Sequence, residues 1–358
     1  MPPVPGLPDE VKAALRDGRG LIRVADFDGR PGFRSRLHRL ERAGLLSTLA
    51  KGVYADAAEL RGDGDWSTYL LRTRAFLTVA APDSYAADWS SIVLHGLPTI
   101  GRPPAAPNVI RPGSRVSGSN TTRHGRTRFA AVPDHWLGEI DGYRAVDPAF
   151  AAVDIARHSD RLTGLVLADA VAFRHRGRDR LAQAVADVDR WRGGRRAAWP
   201  ATWCDADVET PLESAGRLAF IQAGLPASLS NAWVGEFVPE ARLDHYWPEL
   251  RIAAEGDGIA KYLLRDPARA IRREKERDWL LQQLGIRVVR YTWAMATRSP
   301  DELAGRIRQL QRTAPTTSGP IRTWPRDEGL ALLGLPSGRP RPLPTAPSLR
   351  LAAARQVG

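Results

Sequence analysis

Within the stretch from Leu243 to Tyr262, LDHYWPELRIAAEGDGIAKY, the residues whose spacing suggests chemistry are Asp244, Glu255, Asp257 and Lys261. The stretch reads as two strands joined by a turn. If Pro248 and Glu249 form a two-residue turn, Trp247 faces Leu250, Asp244 faces Ala253, and Glu255 sits diagonally two residues along. Side chains alternate faces along a strand, so Asp244, Glu255 and Asp257 share one face. Diagonal neighbours lie roughly 7–8 Å apart, a gap that two carboxylates close by reaching for one divalent cation. These three acids are the candidate metal ligands. Mg²⁺ suits them, because it takes a few carboxylates and keeps several waters. Such a metal lowers the pKa of a bound water and steadies the leaving oxygen of a phosphodiester. A register slip of one residue scatters the acids over both faces.

Two further residues complete the candidate catalytic set of Glu213, Asp244, Glu255 and Lys261. Glu213 lies in PLESAGRLAFIQAG, a helix closed by Gly224, and supplies a third carboxylate. Lys261 follows the Gly256-Asp257-Gly258 bend, where glycine permits a sharp return toward the metal. A lysine there orients the attacking water or stabilises developing charge. The elements that must position this set follow in order. NAWVGEFVP, ARLDHYW and ELRIAAE read as strands, DPARAIRREKERDWLLQQLG as a helix and IRVVRYTW as a strand. With the helix of Glu213, the order is αβββαβ.

A second group of residues points to nucleic acid. FRSRLHRLERAG places Phe33, Leu37 and Leu40 at helical spacing. The opposite face carries Arg34, Arg36, His38, Arg39 and Arg42. LLSTLAKGVYA then reads as two short strands around a turn at Ala50-Lys51-Gly52. A helix over LPDEVKAALRDG precedes them, with Asp9 and Glu10 in its first turn. This is the order of a winged helix-turn-helix, in which a basic helix enters the major groove and a hairpin meets phosphate. Arg34, Arg36, Arg39, Arg42 and Lys51 are the candidate DNA contacts.

The composition agrees with such a partner. The 358 residues carry 52 Lys+Arg against 40 Asp+Glu, a net charge of +12, and a basic excess favours polyanions. Arginine holds almost every basic position. The lysines are Lys12, Lys51, Lys261 and Lys275, which makes Lys261 stand out, since lysine loses its proton when buried and arginine does not. Cys204 is the single cysteine, which excludes internal disulfides and cysteine zinc sites and fits a reducing cytosol. The N-terminal MPPVPGLPDE lacks the pattern of a signal peptide. No run reaches the roughly 18 apolar residues of a membrane span. A cytoplasmic protein without membrane contact is expected. His95 reads as a packed helix-end histidine, and His124 and His135 have no neighbours at metal-ligand spacing.

The expected architecture is a multidomain α+β chain. Residues 1–60 form the winged helix-turn-helix and residues 61–205 an α+β middle domain. Residues 206–312 form an αβββαβ domain, and residues 313–358 a disordered tail rich in Pro and Arg.

The winged-helix pattern followed by SSIVLHGLP resembles the AbiEi-family antitoxins of type IV toxin–antitoxin systems. The stretch from PLESAGRLAFIQAGLP to IRVVRYTW resembles the very-short-patch-repair endonucleases and the wider PD-(D/E)xK superfamily, whose fold is restriction-endonuclease-like. In that likeness Asp244 and Glu255 match the metal-binding acids and Glu213 the glutamate of an ES motif. Asp257, Gly258, Lys261 and Tyr262 match a DG…KY pattern. Glu274, Lys275, Arg277 and Asp278 match EKxRE with Asp in last place. The superfamily lysine is absent at Asp257, and Ile259 and Ala260 stand where the repair enzymes have histidine. The resemblance implies a DNA-binding transcriptional regulator or antitoxin with a nucleotidyltransferase-like toxin as partner. Its alternative is a Mg²⁺-dependent DNA endonuclease.

Overall fold

The computed structural model describes residues 6–60, 64–113, 118–257, 267–313 and 320–338. They form two compact units, one up to residue 155 and one from residue 156. The expected boundaries near 60 and 205 fall inside the first and second unit. The described chain is a multidomain mixture of helices and three sheets.

The first unit opens with α1 (Asp9–Asp17), β1 (Ile22–Arg23) and a 3-10 turn at Val24–Phe27, followed by α2 (Phe33–Arg42), β2 (Leu46–Ala50) and β3 (Val53–Asp56). The three strands pair antiparallel in the order β1-β3-β2. Val11, Leu15, Ile22, Phe33, Leu37, Leu46 and Tyr54 bury one face of this layer. Each such side chain contributes about 1.5–3 kcal/mol on full burial. The other face, with Leu49, Ala50 and Val53, packs on Ala75 and Leu71 of α3 (Trp66–Val79).

Next come β4 (Tyr85–Ala86), α4 (Trp89–Leu94), β5 (Asn108–Arg111), β6 (Gly118–Thr121), β7 (Arg126–Phe129), β8 (Leu137–Ile140), β9 (Tyr143–Val146) and α5 (Pro148–Ala156). Their six-stranded sheet has the order β6-β7-β5-β4-β9-β8. His95 caps α4 and bonds through Nε2 to the Val146 carbonyl at 3.1 Å, as a packed helix-end histidine should.

The second unit begins with α6 (Arg161–His175), α7 (Asp179–Val188) and α8 (Gly194–Trp203). The sequence RWRGGRR leads into α8 at Gly194. Then follow α9 (Pro211–Gln222), β10 (Leu229–Gly235), β11 (Ala241–Trp247), β12 (Ile252–Gly256), α10 (Pro267–Gln283) and β13 (Arg287–Tyr291). This is the αβββαβ order read from the sequence. The strands β10, β11 and β12 form an antiparallel meander, and β13 pairs parallel with β12. A parallel partner needs a crossover, which α10 provides. Ala215, Ala219 and Phe220 of α9 bury against Trp247, Ile252, Ala254, Val289 and Tyr291.

α9 forms where it does because TPLE is a start signal. Thr210 caps the Glu213 N–H, Pro211 takes the first helical position, and Glu213 reaches back to the Thr210 hydroxyl. Gly224, at φ +67°, ends the helix, and Leu225 N–H closes on the Phe220 carbonyl.

α11 (Trp293–Arg298) and α12 (Pro300–Arg312) complete this layer. Part of the expected tail is also built. β14 (Arg322–Trp324) adds antiparallel to the β10 edge, and α13 (Arg326–Leu332) follows. Trp233 opposes Trp324 and packs so tightly on Gly329 that a Cβ there would lie 2.2 Å from its ring. Composition rich in Pro and Arg hides such an edge strand, because its anchors are two tryptophans far apart in sequence. Among the described residues no helix is long and apolar enough to cross a membrane.

Candidate functional site

The β11–β12 connection is longer than the two-residue turn expected from sequence. Pro248–Leu250 form a 3-10 turn and Arg251 adopts φ +46°. The pairs are Trp247 with Ile252, Tyr246 with Ala253 and His245 with Ala254. One step further, Asp244 stands opposite Glu255 rather than diagonal to it. The register differs from the expected one by two residues, so parity is kept and both acids share a face. In the flanking ladders Glu255 lies beside Arg290, and Asn231, at φ +50°, falls level with Asp244. Asn231, Asp244, Glu255 and Arg290 thus make a polar row across four strands.

Each acid has a partner. Arg277 grips the buried Glu255 with both terminal nitrogens, Nη1 to Oε2 at 2.7 Å and Nη2 to Oε1. Its Nη2 also donates to the Arg242 carbonyl at 2.7 Å. Burial opposes the charge on Arg277, but Glu255, Glu274 and Asp244 outweigh it and raise its pKa. Arg290 is held by Glu274 and by Asp278 at 2.6 Å. Glu274, Arg277 and Asp278 lie three and four residues apart, on one helix face. The EKxRE segment therefore docks α10 onto the polar row. Asp244 Oδ2 accepts the Gly256 N–H at 2.8 Å.

Glu213 is buried at the start of α9. Oε2 accepts from the Glu209 N–H at 2.9 Å and the Asn231 amide at 2.6 Å, and Oε1 accepts from the Thr210 hydroxyl at 2.8 Å. Burial, and then the Asp244 charge, push its pKa up to about 7. Tyr291 lies within the field of all three acids. Burial first, then Asp244, Glu213 and Glu255, raise its phenol well above the ordinary value. Its hydroxyl donates to the Leu212 carbonyl at 3.3 Å and shares a 2.8 Å hydrogen bond with His245 Nε2. Burial holds the His245 pKa down to about 3, so the ring is neutral.

The structure therefore gathers Glu213, Asp244 and Glu255 around Tyr291. Asp257 lies one residue past β12, its N–H bonded to the Tyr291 carbonyl at 2.7 Å. Lys261, with Gly258 and Tyr262, lies outside the described residues. In this arrangement Glu255 and Glu213 are engaged by protein donors. Both Glu255 oxygens are taken by Arg277, and the Glu213 oxygens by its cap and Asn231. Among the described residues no group of three or more His, Cys, Asp or Glu side chains is placed to hold a metal ion.

One group escaped the sequence reading. Asp169 of α6 is buried and accepts from the Ser214 hydroxyl at 2.7 Å, the Asp205 N–H at 2.8 Å and Arg217 Nη1 at 3.0 Å. Burial raises its pKa to about 6, although Arg217 and Ser214 pull the other way. In E-S-x-x-R, Glu213 thus turns to the polar row while Ser214 and Arg217 bind Asp169. The available signal was the pairing of Ser214 and Arg217 one turn apart; a lone Asp within LVLADAVAF gives none.

On the first unit, Arg34, Arg36, His38, Arg39 and Arg42 line the exposed face of α2, and Lys51 is exposed at the hairpin tip. Arg36 pairs with Glu10 and Arg34 with Asp28 at 3.8 Å. Such exposed pairs contribute little and yield readily to a competing anion.

No family model matches the chain. It is similar to the uncharacterized proteins MT2308 and Rv2248 of Mycobacterium tuberculosis (strains CDC 1551 / Oshkosh and ATCC 25618 / H37Rv), each 34% identical over 179 residues. The match spans 49% of this chain and 65% of each relative, so the chain covers just under two thirds of their length.

Proposed function

We propose that this chain is a DNA-binding regulator of antitoxin type, with a winged helix in its first unit and a restriction-endonuclease-like domain in its second. The observation that carries this reading is the arginine row of α2, exposed and followed at once by a hairpin tipped by Lys51. The element order and the β1-β3-β2 sheet support a winged helix. A basic helix backed by a hydrophobic layer fits the major groove, and the hairpin lysine reaches phosphate. The test uses DNA from the upstream region of the protein's own operon across a salt series. Arg36→Ala with Arg39→Ala weakens binding and lowers the salt slope by about 0.9 for each phosphate no longer neutralised. Asp244→Ala leaves both unchanged. An arginine pair without effect on affinity or slope ends the winged-helix reading. A toxin partner, nucleotidyltransferase-like by resemblance, is tested by co-purification with the neighbouring gene product.

A second reading, a Mg²⁺-dependent DNA endonuclease, is favoured by Asp244 standing opposite Glu255 with Glu213 in the same field. It requires Arg277 to release Glu255. Its test is cleavage of duplex, mismatched and single-stranded DNA with Mg²⁺ or Mn²⁺, lost in Glu255→Ala. Absence of cleavage on all three substrates rejects it.

A further inference from the structure

We propose that the β6–β7 hairpin of the first unit is a second nucleic-acid contact, which grips the phosphate backbone of duplex DNA. The proposal rests on reading the chain as a DNA-binding protein, and the hairpin is separate from the arginine row of α2. The sequence marks this region by what it lacks. From Trp89 to Pro133 there is no aspartate or glutamate, and there are six arginines. At the chain average of 40 acids in 358 residues, such a stretch of 45 would hold about five. Two of the arginines meet acids from outside the stretch, Arg111 with Asp83 and Arg128 with Asp154. Arg123 and Arg126 are exposed and have no carboxylate partner among the described residues. Arg123 Nε donates to His124 Nε2 at 2.8 Å, and Arg126 Nη2 to the Ser119 hydroxyl at 3.1 Å. Both contacts leave the positive charge uncompensated.

The hairpin holds these charges in place. β6 is an edge strand of the six-stranded sheet, pairs antiparallel with β7 and exposes all of Gly118–Thr121. The turn between the strands is tied by Thr122. Its hydroxyl accepts the His124 N–H at 3.2 Å and the Gly125 N–H at 3.3 Å, and its own N–H donates to the Gly125 carbonyl at 2.9 Å. Gly125 is buried, and a Cβ there would lie 2.4 Å from the Phe76 ring. The tip is thus seated on α3, and less order has to be gained on binding.

The sign of the charge and the shape of the element select the partner. Charge on an edge strand also wards off pairing with another chain, but either sign serves that purpose. A long stretch of one sign favours an anionic partner. An antiparallel two-stranded ribbon fits the major groove of a duplex. Ser119, Asn120 and Thr121 carry hydroxyl and amide groups, which bond phosphate oxygens without regard to base sequence. Single strands are held instead by aromatic side chains on which bases stack, and Gly118 to Arg128 contains no Phe, Tyr or Trp.

The experiment measures binding of the full chain to a DNA duplex, to one of its single strands and to polyglutamate over a salt series. Arg123→Ala with Arg126→Ala is expected to weaken duplex binding about tenfold or more near physiological salt. The salt slope should fall by about 1.8, since each lost phosphate contact removes about 0.9. Both positions are exposed, so the unfolding temperature should not change. Arg123→Lys with Arg126→Lys keeps the charge and should restore most of the slope. A control pair of exposed arginines in the second unit, Arg195→Ala with Arg298→Ala, should lower affinity far less. An equal loss from the control pair reduces the effect to net charge and overturns the proposal. Unchanged duplex affinity in the hairpin variant overturns it too, as does a loss confined to the single strand or to polyglutamate. Arg36→Ala with Arg39→Ala, measured alongside, separates the two readings: a loss there with none from the hairpin pair rejects the hairpin alone. Absence of DNA binding by the unaltered chain rejects both.

Discussion

Arg277 and Glu255, 22 residues apart in sequence, meet in a two-toothed ion pair that fastens α10 to β12. Glu255 is nearly sealed from solvent and Arg277 about a quarter exposed. Losing one partner of such a pair strands a buried charge. Arg277→Ala is expected to cost about 3–5 kcal/mol in urea unfolding. Glu255→Leu combined with Arg277→Met should recover most of that loss, because a well-packed apolar pair replaces a buried ion pair at little cost. A single-variant cost below about 1 kcal/mol would show that the pair is solvated and does not fasten α10.

The clamp also sets how the acids meet cations. Releasing Arg277 frees both Glu255 oxygens opposite Asp244. Mn²⁺ titration by calorimetry should show stronger binding to Arg277→Gln than to the unaltered protein. Equal binding by the two would mean that Arg277 does not compete with a cation.

Glu213 gives a pH signature. Its pKa is raised from 4.5 to about 7 in the folded protein, by burial and then by Asp244. A raised carboxylate pKa means that the folded state holds the proton longer than the unfolded state. The resulting penalty is absent below about 4.5, grows as pH rises toward 7 and is constant above. His245, depressed by burial to about 3, adds a slope of opposite sign below 6.5. Comparison with Glu213→Gln isolates the acid. The stability of the variant relative to the unaltered protein should climb between pH 4.5 and 7, by at most about 1.4 kcal/mol per unit, then level off. A flat difference across that window would show that Glu213 is ionised at its ordinary pKa.

Much of this site was legible in the sequence, and the reason is parity. The three strands, the two helices and the shared face of Asp244 and Glu255 follow from alternation and from start and stop residues such as Thr210, Pro211 and Gly224. The exact register did not follow. Pro248–Leu250 form a 3-10 turn, and composition does not distinguish that from a tighter reversal. The shift by two residues left the faces intact, where a shift by one would have exchanged them. Arg277 appeared only as a letter in a helix motif, because a pair formed across 22 residues leaves no periodic trace. Asp169 was invisible for the same reason: its partners Ser214 and Arg217 lie 45 and 48 residues away.

That buried pair lends itself to a double-mutant cycle. Arg217→Ala and Asp169→Ala should each cost about 3–5 kcal/mol, since each leaves the other charge buried. The double variant should cost less than their sum, by a coupling of about 0.5–3 kcal/mol. Additive effects would place the two groups too far apart to interact.

Gly216 tests the packing beneath the acids. A Cβ at this position would lie 2.4 Å from the Tyr291 hydroxyl oxygen. Alanine favours helix over glycine by about 1 kcal/mol, yet Gly216→Ala should destabilise by about 1–3 kcal/mol through overpacking. Tyr291→Phe removes the nearest colliding atom but keeps the ring carbons at 2.6 and 2.9 Å, so in its background the same substitution should cost only somewhat less. An unconditional gain from Gly216→Ala would mean that Tyr291 moves aside freely.

The strand β14 carries a consequence for the order in which the molecule is made. β10 meets its outer partner only when Trp324 arrives, and Arg326 bonds Glu209 across 117 residues. A ribosome working at 5–20 residues per second needs on the order of ten seconds to make that span. During this interval the nascent sheet shows a bare hydrogen-bonding edge beside the segment that caps Glu213. The last of the described strands to be synthesised is the one that seals it.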